Sequence, residues 1–157
     1  MVESNQGNNS YDKGIILELL AKHLIFTIPG AFIKNRVSTN STEIDLLVEY
    51  RNSQLDIMNN RDGYMISECK YYSSRINVTH IMKFIRLLEI NKINLGIFIS
   101  WEGVSPHAMK QIERAVDTNS IYVISVDKED ILQLIESSDI ISIIRSKYES
   151  LRFDIKK

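Results

Sequence analysis

Tyr64-Met65-Ile66-Ser67-Glu68-Cys69-Lys70-Tyr71-Tyr72 is the stretch on which the fold turns. It is short and rich in aliphatic and aromatic residues. A polar run from Asn52 that ends in Asn59-Asn60-Arg61-Asp62-Gly63 precedes it. Such a run reads as a long hairpin connection, and the stretch after it as a strand. Side chains alternate across a strand, so Glu68 and Lys70 project from one face and Cys69 from the other. Before the connection, Ile44 to Arg51 alternates in the same way and forms the partner strand. Asp45 stands at its start.

Further toward the N-terminus, Ala31 to Val37 reads as a third strand, separated by Pro29-Gly30 from a helix over Ser10 to Leu24. Ile15, Ile16, Leu19, Leu20 and Leu24 mark that helix, and Ser10 or Asp12 is its expected cap. Toward the C-terminus, Asn77 caps a helix to about Lys92, with an apolar stripe of Val78, Ile81, Met82, Ile85 and Leu88. Leu95 to Trp101 reads as a buried strand. Ser105-Pro106 opens a helix through Val116, with proline at its first position. Ile121 to Val126 is another buried strand, Asp127 caps a helix to about Glu136, and Asp139 to Ile155 is helical. The order is one helix, three antiparallel strands, then helix–strand–helix–strand–helix. That order predicts an α/β fold, a three-layer α/β/α sandwich around a mixed sheet of about five strands.

The 157 residues fit one domain with a real hydrophobic core. The expected division is a disordered polar segment over 1–10, a main domain over 11–136 and a C-terminal helix over 137–157. In that helix Ile141, Ile144, Tyr148, Leu151 and Ile155 alternate in threes and fours. Docking on the core is the expected use of this stripe, and an oligomer or partner seam the alternative. No apolar run is long enough to span a bilayer, and Met1 to Ser10 lacks a signal-peptide pattern, so a cytoplasmic location away from membranes is expected. Cys69 is the single cysteine, which leaves no disulfide framework and no cysteine-based zinc site.

Net charge is −1, but its distribution is uneven. Arg61 to Lys92 holds six basic and three acidic residues, while Glu102 to Asp139 holds three basic and eight acidic. The first segment is the one suited to face a polyanion. Within it, Arg75, Lys83 and Arg86 are candidate phosphate contacts, with a solvated helix face as the plainer reading. His80 and His107, at helix starts, are read as incidental.

Asp45, Glu68 and Lys70 form the chemical constellation. Two carboxylates offer oxygen ligands to Mg²⁺ or Mn²⁺, which retain several waters and need no closed protein cage. A lysine beside them can stabilise charge developing on a phosphoryl group. The chain carries its own control in Asp154-Ile155-Lys156, the same spacing near the C-terminus. On a helix, residues two apart do not share a face, so that copy is set aside.

Glu43-Ile44-Asp45-Leu46-Leu47 followed by Ile66-Ser67-Glu68-Cys69-Lys70-Tyr71-Tyr72 resembles the PD-(D/E)xK nuclease signature. Gly96-Ile97-Phe98-Ile99-Ser100, then Gly103-Val104-Ser105-Pro106-His107-Ala108, is similar to the Mrr-like restriction endonucleases and their relatives, the archaeal Holliday-junction resolvases. Ile121-Tyr122-Val123-Ile124 with Asp127 to Leu134 resembles the closing strand and helix of that family, so the likeness runs over residues 12 to 136. It implies phosphodiester hydrolysis, usually in DNA, with a divalent metal on Asp45 and Glu68 and Lys70 as the catalytic lysine. The backbone carbonyl of Cys69 would be a further ligand, and Glu18 occupies the position of an auxiliary glutamate. Restriction or antiviral defence is the setting the resemblance implies. Three alternatives stand beside it: a nucleic-acid-binding module inactive until activated by a partner, a junction-resolving repair nuclease, and a purely structural domain.

Overall fold

The computed structural model describes residues 7–39, 43–50 and 63–154. Five strands form one sheet in the order β1-β2-β3-β4-β5, with β1 at Ala31–Ser38, β2 at Glu43–Tyr50, β3 at Tyr64–Lys70, β4 at Leu95–Ser100 and β5 at Tyr122–Val126. β1, β2 and β3 pair antiparallel, whereas β3, β4 and β5 run parallel. The mixed sheet expected from the sequence is therefore present. The hairpin connection read over 52–63 lies outside the described residues except at Gly63. There the glycine takes φ +67 and its carbonyl accepts from the Tyr50 N–H at 2.6 Å, closing the end of β2 on β3.

Helices cover both faces. α1 (Gly7–Phe26), α4 (Lys128–Ser137) and α5 (Ile140–Phe153) share one core with Leu46, Val48, Met65, Ile97, Ile99 and Ile124. α2 (Val78–Ile90) and α3 (Pro106–Asn119) share the other with Ile66, Phe98 and Val123. All six residues of β4 are buried, as a parallel strand covered on both sides requires. Gly96 sits under α2 at a close approach to Phe84 and Leu88.

The caps follow the sequence closely after residue 70. Asn77 accepts from the His80 N–H, Ser105 from the Ala108 N–H, and Asp139 from the Ser142 N–H. Asp127 forms a full capping box: its carboxylate accepts from the N–H groups of Glu129 and Asp130, and Asp130 accepts from its backbone. Asp130 also receives the Lys147 ammonium at 2.6 Å, which joins α4 to α5. Asp127→Ala is expected to cost about 1 kcal/mol, read as a lower urea midpoint at unchanged slope.

Expectations on α1 and α2 are corrected. α1 starts at Gly7, so Ser10 and Asp12 lie inside the helix and neither caps it, and helix replaces the polar disorder expected over 7–10. Its buried side is Leu17, Ala21, Leu24 and Ile25, while Ile15, Ile16 and Leu19 are exposed. The helix is apolar on two sides, and periodicity cannot choose between them. On α2 Met82 is exposed, and Phe84 and Leu87 take the interior places. α5 docks on the core: Ile140, Ile143, Ile144 and Tyr148 are buried, Ile141 and Leu151 of the expected stripe are partly buried against the same core, Ile155 lies outside the described residues, and Tyr122 meets Tyr148 at 4.4 Å between ring centroids. Asp154 ends α5 as a left-handed C-cap, so the second Asp-x-Lys begins where the helix stops. Its Lys156 lies outside the described residues.

Candidate active site

The site is built by two neighbouring strands. β2 and β3 pair with Leu46 opposite Ser67 and Leu47 opposite Ile66. One step along the same register, Asp45 stands opposite Glu68, so both carboxylates share a face. Ile66 packs in the α2/α3 core and Met65 in the other. By alternation Glu68 and Lys70 therefore lie on the α2 side of β3, and Cys69 turns toward α1.

Lys70 lies between the two acids. Its Nζ is 3.1 Å from Glu68 Oε1 and 3.8 Å from Asp45 Oδ2, and all three side chains are partly exposed. Burial pulls the ammonium down, but Glu68, by charge and hydrogen bond, and then Asp45 outweigh it and hold Lys70 above the ordinary lysine range. The Cys69 thiol is pushed far up, first by burial and then by the charges of Asp45 and Glu18. Cys69 is thus a packed, protonated residue and no nucleophile.

The two carboxylates and one ammonium carry a net negative charge at the open end of the strands. The donor atoms are all oxygens, which suits a hard divalent cation that keeps part of its water shell. Among the described residues no three His, Cys, Asp or Glu side chains gather into a metal cage. Such a cation would be held by Asp45, Glu68 and backbone or water oxygens.

The family model described as restriction endonuclease (Mrr_cat) matches residues 22–135, which span all five strands and the whole cluster. The chain belongs to this restriction endonuclease family. The family is one of nucleases that act on DNA and generally use divalent metals. Among solved structures it is similar to the DNA modification-dependent restriction endonuclease AspBHI, at 14% identity and a TM-score of 0.57 over 94% of this chain and 37% of that one. It also matches a protein of unknown function, AF1548, at 16% identity and a TM-score of 0.48 over 88% and 78% of the two chains. A third match is the MspJI restriction endonuclease in complex with a 27-mer oligonucleotide, at 14% identity and a TM-score of 0.45 over 85% and 32%. The AspBHI likeness shows a shared fold. The chain spans about a third of the length of AspBHI and MspJI. No curated protein matches it.

The remaining candidates fall in different places around this cluster. Glu18, on α1 and just before the matched segment, pairs with Lys22 at 3.0 Å and Arg36 at 3.7 Å. Its charge still reaches the Cys69 thiol. Arg75 and Lys83 are exposed, in the loop after β3 and on α2. Arg86 is exposed but engaged by Glu89 at 3.2 Å. It lies six residues beyond His80, about 9 Å along the helix and toward its far end.

Two features escaped the sequence reading. Ser100 stands opposite Lys70 in the parallel register, and its buried hydroxyl has no hydrogen-bond partner among the described residues. A buried hydroxyl without a partner is costly, and its place beside the lysine marks it as part of the site's wall. Next to Lys70, the Tyr72 hydroxyl lies 3.3 Å from His80 Nε2, and His80 Nδ1 lies 2.9 Å from Asn77 Oδ1. The ring thus bridges the Asn77 amide oxygen and the tyrosine hydroxyl, one through each nitrogen. An isolated His80 gave no such signal, because Asn77 reads as a helix cap and the tyrosine as strand packing.

Proposed function

We propose that this chain is a divalent-metal-dependent endonuclease that hydrolyses DNA phosphodiester bonds. Asp45 and Glu68 are its metal ligands, with the Cys69 backbone carbonyl as a further ligand and Glu18 as an auxiliary one. The reading rests above all on the carboxylate pair that shares the Lys70 ammonium on adjacent strands. Its setting in a restriction endonuclease family supports it.

Mg²⁺, with Mn²⁺ as a substitute, fits the oxygen-only donor set. When bound, such an ion polarises a phosphoryl oxygen and lowers the pKa of a water at the site. The chain's own groups do the rest. Asp45 and Glu68 fix where the cation binds, one from each strand of a paired hairpin. Lys70 donates its N–H groups to the charge that builds on the phosphoryl oxygens as the bond to the leaving group breaks. Arg75 and Lys83 add positive charge beside that path, where they bind backbone phosphates without reading sequence. Restriction or antiviral defence is the proposed setting. AspBHI is modification-dependent by name, so modified DNA, methylated DNA included, belongs in the substrate panel.

The test is cleavage of supercoiled, linear, methylated and four-way-junction DNA in Mg²⁺ or Mn²⁺, against EDTA and Asp45→Asn. Metal-dependent nicking that Asp45→Asn abolishes is the expected result. Equal cleavage by that variant would overturn the site. Metal binding without cleavage of any substrate would overturn the enzyme in favour of an inactive binding module.

A further inference from the structure

The ends of β3 and β4 carry an aromatic pair that the chemistry of the carboxylates and Lys70 does not use. Lys70 stands opposite Ser100 in the parallel register, so Tyr71 and Trp101 leave the two strands side by side, one residue further on. Both are partly exposed and pack, with Cys69, against the core under α1. They therefore lie across the sheet from Glu68 and Lys70. With Lys13, Ile16, Leu17 and Leu20 of α1 they line a cavity of about 320 Å³. The Lys13 ammonium lies 5.8 Å from the centre of the Tyr71 ring, at an exposed position on the helix.

We propose that this cavity takes one unpaired nucleobase from the strand being cut. The proposal rests on the nuclease reading and narrows its substrate to DNA with an unpaired nucleotide beside the scissile phosphate. A volume at the lower end of ligand pockets, which begin at roughly 300 Å³, admits one base and no stacked pair. The base must therefore leave the duplex stack to enter. Tyrosine and tryptophan offer π-faces on which any base stacks, and the aliphatic side chains of α1 close the other side. Lys13 supplies positive charge to the phosphate that comes with the base, and no carboxylate is among the described residues that line the cavity.

Position ties the cavity to the reaction. Ligands of open α/β sheets bind beyond the carboxyl ends of the strands, where Lys70, Ser100, Tyr71 and Trp101 all stand. The Cα atoms of residues 70 and 71 are about 3.8 Å apart, so one DNA strand crossing these ends meets Lys70 on one face and Tyr71 on the other. The platform is also held in advance. The Trp101 carbonyl accepts from the Lys128 N–H at 3.2 Å, and the Ser100 carbonyl accepts from the Gly103 N–H at 3.3 Å. A ring carried on a tied turn loses little entropy when a base stacks on it. Bulged, frayed and single-stranded DNA meet this requirement, and a fully paired duplex does not.

Trp101 is the chain's one tryptophan, so its emission reports on this cavity directly. The probe is a labelled duplex with a single-nucleotide bulge, set beside the fully paired duplex and a bulge whose nucleotide is abasic. Each is titrated with the full chain in Ca²⁺, which neutralises the carboxylate pair as a weaker Lewis acid than Mg²⁺. Anisotropy of the DNA reads binding, and Trp101 emission reads stacking. The bulged duplex is expected to quench Trp101 and to bind at least about fivefold more tightly than the other two, the effect of stacking one base. Tyr71→Ala should bring that preference close to one, and Tyr71→Phe should keep it. Lys13→Glu, at an exposed position where the fold is not at stake, should weaken binding of the bulged duplex more than that of the paired one. Circular dichroism checks the helix content of the variants, and Lys13→Glu carries the test by itself where Tyr71→Ala fails to fold. DNA bound with neither quenching nor preference overturns the base site and leaves the nuclease reading standing. A preference that survives both substitutions overturns the cavity as its source. A chain that binds none of the three probes overturns the nuclease reading together with the base site.

Discussion

Lys70→Ala is expected to lower kcat for DNA cleavage by about 10²–10³-fold, the usual cost of deleting one group that stabilises transition-state charge. KM should move little, because binding rests on phosphate contacts spread along the strand. Lys70→Arg should fail to restore the rate. A guanidinium is wider than an ammonium, and its planar fork does not fit where one Nζ lies within 3.1 Å and 3.8 Å of two different carboxylates. Removing the ammonium also leaves Asp45 and Glu68 facing each other without a cation. Both acids are partly exposed, so the loss of stability stays within about 1 kcal/mol. Mg²⁺ should then raise the Tm of Lys70→Ala by more than it raises that of wild type, since the ion takes over the neutralisation that lysine provided. Single-turnover cleavage and thermal melts with and without Mg²⁺ check both. An unchanged kcat would remove Lys70 from the mechanism. A lost rate with no metal-dependent difference in Tm would separate Lys70 from the carboxylate pair.

What could be read in advance divides along physical lines. Period-two alternation put Glu68 and Lys70 on one face, and the order of the elements put an acid, Asp45, at the start of the preceding strand. Both follow from strand geometry and needed no tertiary information. The pairing that brings Asp45 opposite Glu68 did need it, because register depends on how the hairpin closes. The connecting segment, 51–62, is mostly polar, and its three apolar residues, Leu55, Ile57 and Met58, do not set it. Caps at Asn77, Ser105 and Asp127 were legible because each is a local hydrogen bond between a side chain and a backbone only two or three residues away.

The helix faces were less legible. Sequence periodicity reports that α1 is apolar, but the sheet selects which side is buried, and it selects Leu17, Ala21 and Ile25 over Ile15, Ile16 and Leu19. On α2 the same competition exchanges Met82 for Phe84 and Leu87. The flexible residue is left outside, and the rigid ring meets Phe98 edge-on at 5.3 Å. The contacts of Glu18 and Arg86 were hidden for a related reason. Their ion partners, Arg36 and Glu89, are set by packing or rotamer choice that composition does not encode.

Gly96→Ala is expected to destabilise the fold by roughly 1–3 kcal/mol, the range for adding a methyl group to a filled core. A loss of that size lowers Tm by about 2–4 °C for each kcal/mol in a chain of this length. Two effects oppose each other. Alanine lowers the entropy cost of ordering a strand by about 0.5–1 kcal/mol relative to glycine. A Cβ at Gly96, however, falls 2.7 Å from Phe84 Cε1 and 2.8 Å from Leu88 Cδ1. Neither neighbour can turn aside easily. Both are buried, and Phe84 is held by its contact with Phe98 on the same strand. The steric cost wins, and it is relieved only if α2 lifts from β4. That movement reaches the site, because Asn77 and His80 open α2 beside Tyr72, and β4 ends in Ser100 opposite Lys70. Loss of stability and loss of cleavage should therefore appear together. Phe84→Leu removes the ring that obstructs the new methyl group, so in that background Gly96→Ala should cost less than half its value in wild type. Chemical denaturation of the four proteins in the cycle measures the coupling. An unchanged or raised midpoint for Gly96→Ala alone would show that α2 is not held against β4 as closely as the packing of Phe84 and Leu88 requires.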